Sequence, residues 1–187
     1  MNKKEKVMLG ISGTALGIGL LTMIIYRKTI MAKIESAVWD IHSERRINTL
    51  HPKIRNRVRA FINEAERQGI KLRVTSGYRT WDEQTRLYNQ GRTLPGSIVT
   101  NAEAGESWHN YALAFDVVEI KNGRALWNNA NWSKIGKLGK SFRFSWGGDW
   151  RSFVDKPHFQ DDFGYSMAAL RQKYLSNQMT NGYIDLA

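Results

Sequence analysis

Ser107-Trp108-His109-Asn110-Tyr111-Ala112-Leu113-Ala114-Phe115-Asp116-Val117-Val118-Glu119-Ile120 is the stretch on which the reading of this chain turns. From Ala112 to Ile120, apolar and β-branched residues run with few polar breaks, the pattern of a largely buried strand. An ionised carboxylate at Asp116 is costly there unless something neutralises it, and the two candidates are a metal ion and an arginine. His109 lies just before the strand, where the chain can fold back toward the same point. Further on, Asp155-Lys156-Pro157-His158 supplies a second imidazole and a second carboxylate. A catalytic zinc takes three nitrogen or oxygen ligands from protein and keeps a fourth position for water. His109, Asp116 and His158 make such a set of three.

Around this core the chain alternates helical and extended signals. Ile54, Val58, Phe61, Ile62 and Ala65 mark one face of a helix that Gly69 is placed to end. Ile70, Leu72 and Val74 alternate as a strand running into Ser76-Gly77-Tyr78-Arg79. Thr80-Trp81-Asp82-Glu83 is a capping-box pattern opening a second helix that Gly91 would stop. Arg79 therefore falls at a strand-to-helix junction, where a side chain can point into a cleft. The irregular stretch 92–108, with Pro95, Gly96 and Gly105, is expected to fold over the site as a substrate loop. Asn122-Gly123 signals a hairpin, a helix follows from Trp132 to Lys140, strands are expected near Phe142 and His158, and a last helix runs from Met167 to Leu175. His42 and His51, in polar and turn contexts, are expected at the surface.

The span from Arg73 to Gln160 resembles the peptidoglycan peptidases of family M15, which comprises D-alanyl-D-alanine carboxypeptidases and L-alanyl-D-glutamate peptidases. Members carry Ser-x-His-x-x-Gly-x-Ala-x-Asp, an upstream Ser-Gly-Tyr-Arg, and an acidic residue three places before a final His. This chain has Ser107, His109, Ala114 and Asp116, then Ser76-Gly77-Tyr78-Arg79, then Asp155 and His158. It departs at Ala112, where the family has Gly, and an added methyl there can crowd a close backbone approach. The resemblance implies that His109, Asp116 and His158 bind one zinc ion per chain. It also implies that Asp155 is the general base and that Arg79 stabilises an oxyanion or holds a substrate carboxylate. Ser76, Tyr78 and Ser107 are expected beside the substrate. Phe144-Ser145-Trp146-Gly147-Gly148-Asp149-Trp150 resembles the L-alanyl-D-glutamate branch, with Gly147 and Gly148 permitting a tight bend and Trp146 and Trp150 walling a peptide cleft.

Composition bounds the rest. The 187 residues contain no cysteine, which excludes a disulfide framework and thiolate ligands. The net charge of +11, from 28 basic and 17 acidic residues, favours polyanionic partners such as anionic wall polymers. No nucleic-acid-binding motif accompanies it, so no specific nucleic acid is expected. Residues 7–26 carry no charge and are flanked by Lys3, Lys4 and Lys6 on one side and Arg27 and Lys28 on the other. Such a stretch is long enough to cross a bilayer of about 30 Å as an uncleaved signal anchor.

The expected organisation is an anchor over 1–28, a linker over 29–46, one zinc peptidase domain over 47–176 and a tail over 177–187. The fold class is α+β, a single small domain with a central antiparallel sheet and flanking helices, preceded by one transmembrane helix. The expected activity is cleavage of the peptidoglycan stem peptide between L-Ala and D-Glu, on the extracytoplasmic side of a membrane. The alternatives are a D-alanyl-D-alanine carboxypeptidase and a non-catalytic zinc-containing wall-binding module.

Overall fold

A computed structural model of the chain describes residues 3–128 and 131–186, and the side chains from residue 21 onward within them. Among the described residues, five α-helices and seven strands follow in the order α1 (Lys3–Asn48), α2 (Pro52–Arg67), β1 (Leu72–Ser76), α3 (Trp81–Asn89), β2 (Ala114–Lys121), β3 (Arg124–Leu126), α4 (Trp132–Ser141), β4 (Ser145–Trp146), β5 (His158–Gln160), α5 (Met167–Leu175), β6 (Met179–Thr180) and β7 (Tyr183–Ile184). The fold is α+β, as the alternating signals imply. The longest strand, β2, is the centre of an antiparallel sheet ordered β1-β2-β5-β4, and β3 folds back on the far end of β2. Asn122 and Gly123 make that reversal with φ of 51° and 78°, the paired left-handed conformation of a two-residue hairpin.

Burial separates the sheet's two faces. Leu72, Val74, Phe115, Val117 and Phe159 join Val58, Phe61 and Ile62 of α2 and Ile135 of α4 in one core. Phe61 stands at its middle, with the rings of Phe115, Phe142, Phe144 and Phe159 around it. The apolar spacing of α2 supplies its buried face, Ile54, Val58, Phe61, Ile62 and Ala65, and Gly69 follows the helix with φ of 80°. At α3, the Thr80 hydroxyl accepts from the Glu83 amide while the Glu83 carboxylate accepts from the Thr80 amide, a complete capping box.

Four features depart from the sequence expectations. The stretch 29–46, expected as a linker, is helical, the C-terminal part of α1. It lies along the open edge of β1: Ser43 Oγ accepts the Val74 amide, Asp40 pairs with Arg73, and Trp39 Nε1 donates to the Gly123 carbonyl. Covering an edge strand in this way removes unpaired backbone groups from water. The stretch 177–187, expected as a tail, forms the β6–β7 hairpin over 179–184, and Ile184 and Leu186 pack with Tyr111, Leu113 and Leu170 in a second apolar cluster. That hairpin covers His51, which is 6% exposed and not a surface residue, whereas His42 is exposed. Finally, Phe142 caps α4 instead of entering a strand, because Arg143 turns left-handed at φ of 61° and pairing resumes only at Ser145.

The expected membrane span, 7–26, falls largely on side chains outside the described residues. Among the described residues, no helix is long and apolar enough to cross a membrane.

Candidate active site

Sheet register assembles the site. Asp116 on β2 lies opposite Ser76 on β1 and opposite His158 on β5, so three side chains from distant parts of the chain fall in one row. An irregularity between Val74 and Ser76 shifts β1 locally and brings Ser76 into that row. His109 arrives from a 3-10 turn, Trp108–Tyr111, that ends in the left-handed Ala112 with φ of 59°. The family's glycine at this place is thereby explained: the chain must take a conformation that costs an L-residue about 1–2 kcal/mol. Ser107 caps the turn, its Oγ accepting from the His109 amide at 3.4 Å, so its work is to hold the turn.

Two loops are laced together behind His109. The Arg79 amide donates to the His109 carbonyl at 3.0 Å, and Asn110 Nδ2 donates to the Arg79 carbonyl at 2.9 Å. His109 Nδ1 lies 2.7 Å from the Gly77 carbonyl. Gly77 has no room for a side chain, since a Cβ there would stand 2.6 Å from the Arg46 carbonyl and 2.5 Å from Thr49 Oγ1. The end of α1 therefore fixes the loop that orients His109.

The three ligating atoms converge. His109 Nε2 and His158 Nδ1 are 3.3 Å apart, His158 Nδ1 and Asp116 Oδ1 3.3 Å, and His109 Nε2 and Asp116 Oδ1 3.4 Å. A tetrahedral ion with bonds of about 2.0–2.1 Å sets its ligand atoms about 3.3–3.4 Å apart, so the triangle has the size of one face of that tetrahedron. The outer nitrogens settle the tautomers. A carbonyl can only accept, so His109 Nδ1 carries the proton toward Gly77 and its Nε2 lone pair faces the centre. His158 Nε2, at 2.9 Å from Gln160 Oε1, likewise donates outward and leaves Nδ1 bare. Imidazoles held in this way are oriented and made more basic toward a metal. Gln160 escaped the sequence reading, although two residues beyond His158 in a strand is the same face. His109, Asp116 and His158 thus form a metal-binding triad.

Electrostatics fit the same role. Burial disfavours the Asp116 carboxylate, but positive charge on the His109 and His158 imidazoles outweighs it and holds the group well below the usual carboxylate range, a role that a bound cation takes over when both lone pairs turn inward. Asp155 is pushed the other way, by burial first and by the Asp116 charge second, while His158, His109 and Arg79 oppose the rise. Its turn is built tightly: the Asp155 amide donates to the Gly147 carbonyl at 3.1 Å, and a Cβ on Gly147 would meet the Asp155 carbonyl at 2.4 Å. Gly147 opens the expected bend, a 3-10 turn over Gly147–Asp149, and is needed there for space.

Arg79 reaches the row from the other side, with Nη2 3.9 Å from Asp116 Oδ2 and 3.4 Å from Ser76 Oγ. Its Nη1 donates to Gln84 Oε1 at 2.9 Å. Gln84, fully buried on α3, passes the constraint on, its Nε2 donating to the Ala102 carbonyl at 2.7 Å. The stretch 92–108 is accordingly pinned against α3, with Gly105 on the Trp81 ring, and it braces Arg79's support. Trp150 stands 5.0 Å from the His158 ring and is partly exposed. Trp146 turns away, packing near-parallel to Phe159, and its Nε1 donates to the Lys156 carbonyl at 2.7 Å, which braces the turn carrying Asp155. Tyr78 is half-exposed, with its amide donating to Thr49 Oγ1 at 3.0 Å.

A His-Asp-His triad on an antiparallel sheet, with a carboxylate of raised pKa and an arginine at its margin, defines a metallohydrolase of α+β fold. Residues 47–152 match the D-alanyl-D-alanine carboxypeptidase family VanY, and the chain belongs to this family, a metallopeptidase of the M15 group. It is 39% identical over 121 residues to the peptidoglycan L-alanyl-D-glutamate endopeptidase CwlK of Bacillus subtilis, a match covering 59% of this chain and 72% of that one. It is 29% identical over 123 residues to the L-alanyl-D-glutamate peptidase of Listeria phage A118, covering 64% of this chain and 41% of the phage protein. Among solved structures, the L-Ala D-Glu endopeptidase ChiX of Serratia marcescens is similar over 64% of this chain and 85% of its own, at 22% identity and a TM-score of 0.49.

Proposed function

We propose that this protein is a zinc-dependent endopeptidase that cuts the bond between L-Ala and D-Glu in the peptidoglycan stem peptide. The observation that carries the hydrolase reading is the 3.3–3.4 Å triangle of His109, Asp116 and His158, with both imidazole lone pairs turned inward. The choice of bond is supported by the two relatives, at 39% and 29% identity, whose names state that activity.

One zinc ion per chain would be held by His109 Nε2, Asp116 and His158 Nδ1. When bound, the ion supplies Lewis-acid polarisation of the scissile carbonyl and makes a water more acidic. The chain's own groups do the rest. Asp155, as general base, takes the proton of the attacking water and delivers it to the D-Glu amine as the C–N bond breaks. Arg79, held by Gln84 and Ser76, presents a guanidinium to the negative charge developing on the carbonyl oxygen. Trp150, Tyr78 and Ser76 border the substrate's path. A wall-binding module without turnover has no use for a carboxylate like Asp155 beside its metal ligands.

The D-alanyl-D-alanine carboxypeptidase reading has one observation in its favour, the description of the family matched over 47–152. Mass spectrometry of peptidoglycan digested with the protein separates the two. New D-Glu amino termini are expected, and release of D-Ala alone overturns the proposal. Residues 7–26 anchor the protein with its domain on the wall side of the membrane, and the charge of +11 concentrates it among anionic wall polymers. Recovery of the intact chain from the soluble fraction would refute the anchor.

A further inference from the structure

Beside the metal-binding triad lies a cleft of about 330 Å³ whose lining includes Arg46, Ser76, Tyr78, Arg79, Glu83 and Arg86. It shares Ser76 and Arg79 with the site just described, so it adjoins that site without containing its ligands. Three guanidinium groups face one carboxylate. Glu83 is already engaged in the α3 capping box through the Thr80 amide at 2.8 Å and hydroxyl at 3.1 Å. Arg46 and Arg86 are exposed; both charges act on the Glu83 carboxylate, and among the described residues neither side chain makes a hydrogen bond.

Each arginine has an ordinary structural use. Arg46 lies in the last turn of α1 and Arg86 in the last turn of α3, where a cation complements the helix dipole. That use does not require the two to converge. Helices far apart in sequence bring them to one concavity, next to a third arginine at the metal-binding triad, and leave their donors free. Guanidinium forks in this arrangement match a carboxylate.

We infer that Arg46 and Arg86 form an anion subsite that holds a carboxylate of the substrate on the leaving-group side of the cut bond. The inference rests on the proposed L-Ala–D-Glu specificity, since D-Glu keeps a free α-carboxylate next to the scissile nitrogen. Arg79 serves the reacting carbonyl, and the outer pair selects for acidic peptide.

The test compares a stem tripeptide bearing the free D-Glu α-carboxylate with its carboxamide, using the full-length, zinc-loaded protein. Wild type should show the lower KM for the acid. Arg46→Gln/Arg86→Gln should raise that KM about tenfold with kcat within about twofold, and should lose the discrimination against the carboxamide. Arg46→Lys/Arg86→Lys should recover part of the affinity, and unchanged zinc content would certify the fold. A KM for the Gln double variant equal to wild type overturns the subsite and leaves two arginines that only complement helix ends. If wild type cuts neither peptide at the L-Ala–D-Glu bond, the assigned specificity fails instead. Calorimetric titration with the acid tripeptide then judges the subsite alone: weaker binding by the Gln variant sustains it, and equal binding ends it.

Discussion

Asp116 and His158 face each other directly across two antiparallel strands, β2 and β5, with His158 Nδ1 3.3 Å from Asp116 Oδ1. Cross-strand partners point to the same side of a sheet, so one register fixes both ligands at once. A slip of one residue would send the pair to opposite faces. The neighbouring pair, Phe115 and Phe159, takes the other side and packs the core, so the site is braced by the same register that builds the hydrophobic interior.

Removing His158 should therefore abolish stoichiometric zinc binding, since two ligands hold the ion poorly. Gln160→Leu should be milder, lowering zinc affinity about 10–100-fold because His158 loses the acceptor that fixes its tautomer. Competition with a chromogenic chelator measures both. Full zinc content in His158→Ala would remove the residue from the ligand set.

Asp155→Asn should keep the zinc and the fold while kcat falls about 10²–10⁴-fold. The pH profile gives a second readout. Burial and the Asp116 charge raise the Asp155 pKa above 3.8, and the base works only when ionised. Activity of the wild type should accordingly fall as pH drops and Asp155 takes up its proton. A profile for the variant with the same acidic limb would assign that limb to another group.

Ala112 in place of the family glycine should be nearly neutral. Relief of the left-handed strain gains about 1–2 kcal/mol on Ala112→Gly. Extra unfolded-chain entropy of glycine costs about 0.5–1 kcal/mol, and losing one buried methyl costs about 0.8 kcal/mol. The three nearly cancel, so urea denaturation should place Ala112→Gly within about 1 kcal/mol of wild type. Ala112→Val, β-branched at a φ of 59°, should be far worse. Equal stability of all three would mean that the left-handed turn is not kept.

His51 should make stability depend on pH. Its Nδ1 accepts the Lys53 amide as the cap of α2, and its Nε2 donates to the Ile184 carbonyl of the terminal hairpin. Protonation removes the acceptor, and burial, with Lys53 and Arg55 nearby, lowers its pKa below 6.5. A depressed histidine pKa stabilises the fold above 6.5, and the contribution is lost as pH falls through the lower folded value. Between pH 7.5 and 5, wild type should lose more stability than His51→Asn. Parallel losses would acquit His51.

A chain beginning at Ala32 should fold and bind zinc, because it retains Trp39, Asp40 and Ser43 on the edge of β1. One beginning at Ile47 should be markedly less stable, since it exposes the Val74 amide and leaves the buried Arg73 with Glu66 as its remaining carboxylate partner. Circular dichroism melts compare them. Equal melting would make the α1 contacts incidental.

The features legible along the chain alone were local or chemical. The strand around Asp116, the Thr80 capping box, the Asn122-Gly123 turn and the apolar face of α2 depend on neighbours in the chain, and each appears where its pattern placed it. The ligand identities were legible because few side chains bind zinc and the spacing of His109, Asp116 and His158 is carried by short motifs. Tertiary structure decided what depends on distant packing. Residues 29–46 read as a linker from the chain alone, yet the open edge of β1 gives their helix a surface to cover. Trp146 and Trp150 are alike in sequence, and only the packing of α4 and β5 turns one to the core and leaves the other beside His158. The meeting of Arg46 with Arg86 at one cleft follows from the docking of two helices, a relation that no spacing along the chain encodes.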